Sequence, residues 1–124
     1  MPARIVLVHD ELEFLTAVEG KLRDAGHDVI AFEDSISAFD ALRSARRIEA
    51  LVTRVAFRPG QPHGTALAGA ARITRPSVKV IFTALPEVAD LANDHGRVLI
   101  MPVRPDQVAQ AIEELLNPPP APDP

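Results

Sequence analysis

Three short polar clusters in this chain could do chemistry: His9-Asp10-Glu11, Thr53-Arg54 and Thr83. Each ends an apolar run, the first after IVLV (5–8), the second after Ala50, Leu51 and Val52, the third within VKVIFT (78–83). Runs of this length read as strands, and in a parallel sheet their carboxyl ends meet at the edge where ligands usually bind. Arg54 is the decisive residue there. It brings a fixed positive charge to a place where facing acidic groups would call for a metal or a proton, and a guanidinium pairs well with a carboxylate. The expected arrangement is an internal cation bonded to Asp10 or Glu11; the alternative is that Arg54 points to solvent. Thr53, by strand alternation, points to the opposite side from Arg54. Neither Thr53 nor Thr83 has an evident base beside it, and no nucleophile–base pair or Gly-rich phosphate loop occurs, so catalysis is not expected. His9, Asp10 and His63 match no compact zinc spacing, and no metal or cofactor is expected. His27 and His95 stand beside glycines at predicted turns and read as surface residues.

The elements that must position these groups alternate along the chain. After IVLV comes a helical pattern from Glu11 to about Ala25, with Leu12, Leu15, Val18 and Leu22 on one side. Asp10 stands where it could cap this helix, and Gly26 is a stop signal. HDVIAF (27–32) is a second strand, and Asp34-Ser35 opens a helix carrying Ile36, Phe39, Ala41 and Leu42. EALVT (49–53) is the third strand. The loop RPGQPHG (58–64) leads into an alanine-rich helix that ends near Arg75-Pro76. VKVIFT is the fourth strand. Pro86 to Asp94 has room for about two helical turns. RVLIM (97–101) is the fifth strand, and Val108, Ile112, Leu115 and Leu116 give one apolar face to a last helix. Right-handed crossovers between such units make a doubly wound α/β domain with a five-stranded parallel sheet. The domain spans 1–116, and the proline-rich tail 117–124 cannot continue a helix and is expected to be extended.

Composition narrows the function classes. A chain of 124 residues, 47% apolar and 24% charged, is an ordinary single globular domain. Its net charge of −4 and the lack of Trp and Tyr argue against direct nucleic-acid binding, since base-stacking platforms are missing. The arginines at 43, 46 and 47 suit the end of the second helix by its dipole. There is no cysteine for a disulfide or thiolate site. No apolar run approaches the roughly 18 residues needed to span a bilayer. No membrane association is expected, and the cytoplasm is the expected location.

The order of elements, with HDE (9–11), the stretch from Thr53-Arg54 to RPGQPHG, FTA (82–84) and Met101-Pro102, resembles a bacterial response-regulator receiver domain of the flavodoxin-like (βα)5 type. The resemblance covers about residues 3–116. In that family an acidic pair after strand one and an aspartate ending strand three hold Mg²⁺. The aspartate accepts a phosphoryl group from a histidine kinase, and a Ser or Thr and a Lys before proline contact the phosphoryl oxygens. The resemblance places His9 and Asp10 at the acidic pair, Glu11 just after it, and Arg54 at the phosphoacceptor. It places Thr83 at the hydroxyl and Met101 at the lysine, with a cis bond implied at Met101-Pro102. Val98 stands where the family often has an aromatic switch residue.

Arg54 offers no nucleophile and Met101 no hydrogen bond to an oxyanion. The resemblance therefore implies a degenerate, pseudo-receiver form: a stand-alone module of two-component or phosphorelay signalling that binds a protein partner without phosphorylation. A weak homodimer is a further option. The alternative is a sensor of an anion or small molecule, held by Arg54, Thr83 and the amides of 58–64.

Overall fold

The computed structural model describes residues 3–44 and 47–118. Five parallel strands form one sheet in the order β2-β1-β3-β4-β5, with β1 Arg4–Val8, β2 Asp28–Phe32, β3 Ala50–Arg54, β4 Lys79–Ala84 and β5 Arg97–Ile100. The helices are α1 Leu12–Asp24, α2 Ser35–Arg43, α3 Gly64–Thr74 and α4 Pro105–Leu116. The fourth crossover holds a 3-10 helix, Pro86–Leu91, in place of an α-helix. This is the expected doubly wound, flavodoxin-like architecture. Its short fourth connection follows from the few residues between β4 and β5 and from the proline that opens it.

Strand alternation splits the core into two layers. Val6, Val8, Leu51, Val80 and Phe82 pack under α2 and α3. Ile5, Leu7, Val52 and Ile81 pack under α1 and α4, against Leu15, Val18, Leu22, Val108 and Ile112. The central strands β1 and β3 are apolar on both faces because helices cover both. Strand order reverses at β1, with β2 laid on one side and β3 on the other, and the crevice outside the carboxyl ends of β1 and β3 is the topological switch point of the sheet.

Local signals account for most boundaries. Asp34 caps α2, its carboxylate accepting from the Ser37 amide at 2.7 Å. Gly26 follows α1 at φ +92°, a backbone region glycine enters without penalty. Asp10 does not cap α1. The N-cap is Glu11, whose side chain makes no capping bond, and the Asp10 carboxylate is engaged elsewhere. Leu12 and Ile36, read as parts of apolar helix faces, are exposed; each lies in the first turn of its helix.

His27 is likewise not a surface residue. It is buried, its Nδ1 accepting from the Ala3 amide at 3.1 Å and its Nε2 lying 2.6 Å from Glu113 Oε1. With Nδ1 an acceptor, Nε2 carries the proton and donates to Glu113, so His27 ties the start of the sheet to the last turns of α4. His95 is exposed, and its carbonyl accepts from the Arg72 guanidinium. Among the described residues no helix is long and apolar enough to cross a membrane. Arg46 and the tail beyond Pro118 lie outside the described residues.

Candidate functional site

The site is built where β1, β3 and β4 end side by side. Register sets Val8 beside Thr53, and Arg54 beside Thr83. His9 continues the face of Ile5 and Leu7, and Arg54 and Thr83 continue that of Val52 and Ile81, so all three fall on the α1–α4 side of the sheet. Thr53 lies on the other side, buried, its hydroxyl donating to the Arg54 carbonyl at 3.0 Å.

Arg54 reaches from β3 to the β1–α1 loop and donates from Nη1 to Asp10 Oδ1 at 2.6 Å. The two side chains are 21% and 26% exposed, so the pair is only partly screened by solvent. Glu11, the other candidate partner, is exposed and instead donates its amide to His9 Nδ1 at 3.1 Å. The two acids are adjacent in the chain, and of the two only Asp10 is bonded to Arg54.

His9 is 2% exposed, its ring 4.6 Å from that of Phe14 on α1. Burial, reinforced by the nearby Arg54 guanidinium, pulls its pKa down from 6.5 to about 4 against the opposing influence of Asp10 and Glu11. His9 is therefore a neutral imidazole near pH 7. Since Nδ1 accepts the Glu11 amide, the proton sits on Nε2, which is buried without a hydrogen-bond partner among the described residues. Thr83 Oγ1 shares that condition.

The β5–α4 loop starts beside the end of β4. Its Met101 amide donates to the Ala84 carbonyl at 2.8 Å, and Met101-Pro102 is cis.

The donor set does not fit Mg²⁺. An oxygen-seeking cation needs several free carboxylate or carbonyl oxygens. Here one Asp10 oxygen is held by a guanidinium, His9 stands where a second carboxylate would be needed, and Arg54 occupies the third position with positive charge. His63 contributes nothing to such a centre, because it is the residue before α3 and its Nδ1 accepts weakly from the Phe57 amide. Among the described residues no group of three His, Asp or Glu could hold a metal. Arg54, at the end of β3, carries no nucleophilic oxygen.

Two contributors were not anticipated from sequence. Gly64, the first residue of α3, donates its amide to the Val55 carbonyl at 2.8 Å, and a Cβ built on it would lie 2.0 Å from the Arg54 carbonyl oxygen. Only glycine lets α3 start against the end of β3, and this contact fixes the backbone that carries Arg54. The second is a recess of about 230 Å³ beside the ion pair, lined by Asp10, Glu33, Asp34, Arg58 and Gln61. It opens between the β1 and β2 ends, and Gln61 ties it to α2 by accepting from the Ser35 hydroxyl at 3.2 Å.

No protein-family model matches the sequence, and no curated protein matches it. Solved structures do. A response regulator receiver protein from Sinorhizobium medicae WSM419 superposes with a TM-score of 0.82 at 28% identity, covering 94% of this chain and 96% of the other. A CheY-like receiver domain protein from Methanospirillum hungatei JF-1 gives 0.79 at 20%, covering 94% and 95%. The BeF3-activated receiver domain of DrrB gives 0.76 at 22%, covering 94% and 98%; DrrB is an OmpR/PhoB homolog of Thermotoga maritima. The fold is thus the flavodoxin-like one of response-regulator receiver domains.

Proposed function

We propose that this chain is a receiver domain of two-component type that works as a phosphorylation-independent protein-interaction module. The observation that carries the reading is the 2.6 Å bond from Arg54 to Asp10. It puts a permanent cation where a phosphorylatable receiver would need a nucleophile and a metal, and it holds the β1 and β3 ends in one arrangement. Conformational switching requires a ligand that binds two states differently. With Arg54 bonded to Asp10, the β1 and β3 ends are held together without a metal ion or a phosphoryl group. The module is non-enzymatic, acts in the cytoplasm, and signals through the surface it presents to a protein partner.

A second reading, a sensor of a small anion, is favoured by one specific observation. Buried polar groups nearly always find partners, yet Thr83 Oγ1 and His9 Nε2, beside Arg54, have none among the described residues. All three can donate a hydrogen bond, which suits an oxyanion.

Amide NMR spectra recorded during titration with Mg²⁺ plus beryllofluoride, and separately with inorganic phosphate, test both readings. The interaction-module reading expects unchanged resonances at Asp10, Arg54 and Thr83 in both titrations. Saturable shifts with beryllofluoride and Mg²⁺ overturn it. Saturable shifts with phosphate alone, lost in Arg54→Met, would establish the sensor.

A further inference from the structure

The surface away from the strand ends carries an apolar groove between α2 and α3. It has a volume of about 400 Å³ and is lined by Phe39 and Arg43 from α2 and by Ala66, Gly69, Ala70 and Ile73 from α3. The small residues that α3 presents there leave this space open. Ile73 stands at its rim, 84% exposed, the most exposed large apolar side chain among the described residues. An isoleucine left in water forgoes the stabilisation its burial would bring. A protruding apolar side chain beside an apolar groove of matching character is self-complementary under a twofold axis.

The charges agree with that symmetry. Asp40 and Arg43 are one turn apart on the exposed side of α2, and neither is in an ion pair among the described residues. Arg43 instead lies over the Phe39 ring, 5.8 Å from its centre. An antiparallel approach of two α2 helices sets Asp40 against the partner's Arg43 and Arg43 against the partner's Asp40. A single acidic or basic partner would satisfy only half of this pattern.

We propose that the α2–α3 face is a homodimerisation surface, in which Ile73 of each copy enters the groove of the other. The occupant is a second copy of this chain. Eleven residues of α3 give a length of about 16 Å, and two helix diameters a width of about 20 Å, so each copy contributes on the order of 300 Å². The total, roughly 600 Å², is well below the ~1,200 Å² of stable complexes. The dimer is therefore weak, with a dissociation constant of roughly tens to hundreds of micromolar.

Sedimentation equilibrium of the full chain across that concentration range tests the proposal, with melting temperatures confirming that each variant is folded. The expected result is a reversible monomer–dimer equilibrium weakened at least about tenfold by Ile73→Glu and by Ala66→Arg. Both residues are exposed, so neither change disturbs the core. Leu91→Glu, in the 3-10 helix between β4 and β5 and outside the groove, leaves the equilibrium unchanged. A chain that stays monomeric throughout overturns the proposal, as does a dimer that survives Ile73→Glu or is broken by Leu91→Glu instead.

Discussion

Replacing Arg54 by methionine keeps the aliphatic stem of the side chain and removes its charge, so it isolates what the guanidinium does. Exposed ion pairs contribute about 0.2–1 kcal/mol, and breaking a fully buried one costs about 3–5 kcal/mol. The Arg54 and Asp10 side chains are 21% and 26% exposed, which places the loss between these limits, at roughly 1–2 kcal/mol near pH 7. The size of that loss depends on pH, because Arg54 also repels a proton from His9. In the wild type the folded state resists protonation of His9 down to about pH 4, while the unfolded chain takes up the proton near 6.5. Stability from this source is complete above 6.5 and is lost as pH falls toward 4. Without Arg54 the folded His9 pKa moves back toward 6.5, so the variant loses less stability over the same interval. The difference between wild type and Arg54→Met, read from urea unfolding at pH 7.5, 6, 5 and 4, should shrink steadily with falling pH. No destabilisation at pH 7.5 would refute the ion pair. A loss of the same size at every pH would refute the coupling to His9.

Three further outcomes follow from the same geometry. His9→Asn keeps an acceptor for the Glu11 amide but cannot titrate, so it should remove roughly 3 kcal/mol of the acid-side loss between pH 6.5 and 4, measured as the slope of stability against pH. Thr83→Val trades a buried hydroxyl without a partner for a methyl group of similar shape. It should leave the melting temperature unchanged or raise it, and a fall of several degrees would show that the hydroxyl is bonded in solution. Gly64→Ala forces a Cβ to 2.0 Å from the Arg54 carbonyl and should destabilise by about 3 kcal/mol or more in chemical denaturation, with altered amide shifts along the end of β3.

Much of the fold was legible because its signals are local. Apolar runs of three or four residues marked the strands, the Asp34 cap and Gly26 marked helix ends, and the small space after Pro86 predicted a short fourth helix. Arg54 could be placed at the end of β3 from the apolar residues before it. Its choice of Asp10 over Glu11 could not, since that depends on how the β1–α1 turn directs two adjacent side chains. The resemblance to receivers fixed which positions to compare, and similar solved folds support it at the level of architecture.

Long-range contacts were out of reach. His27 beside Gly26 reads locally as a turn residue, but its two hydrogen bonds go to Ala3 and to Glu113, 86 positions away. Gly64 looked like one more glycine of a loop until the Arg54 carbonyl was seen against it. Leu12 and Ile36 fit the helical periodicity, yet periodicity says which side of a helix is apolar and not how far the neighbouring layer extends.

The direct test of phosphorylation independence is intact-mass spectrometry of the wild-type chain after incubation with acetyl phosphate and Mg²⁺, beside a receiver that carries aspartate at the end of its third strand. Arg54 bonded to Asp10 predicts an unchanged mass for this chain under conditions in which the comparison receiver gains a phosphoryl group. A phosphoryl group gained by this chain, on Thr83 or on any other residue of the site, would contradict it.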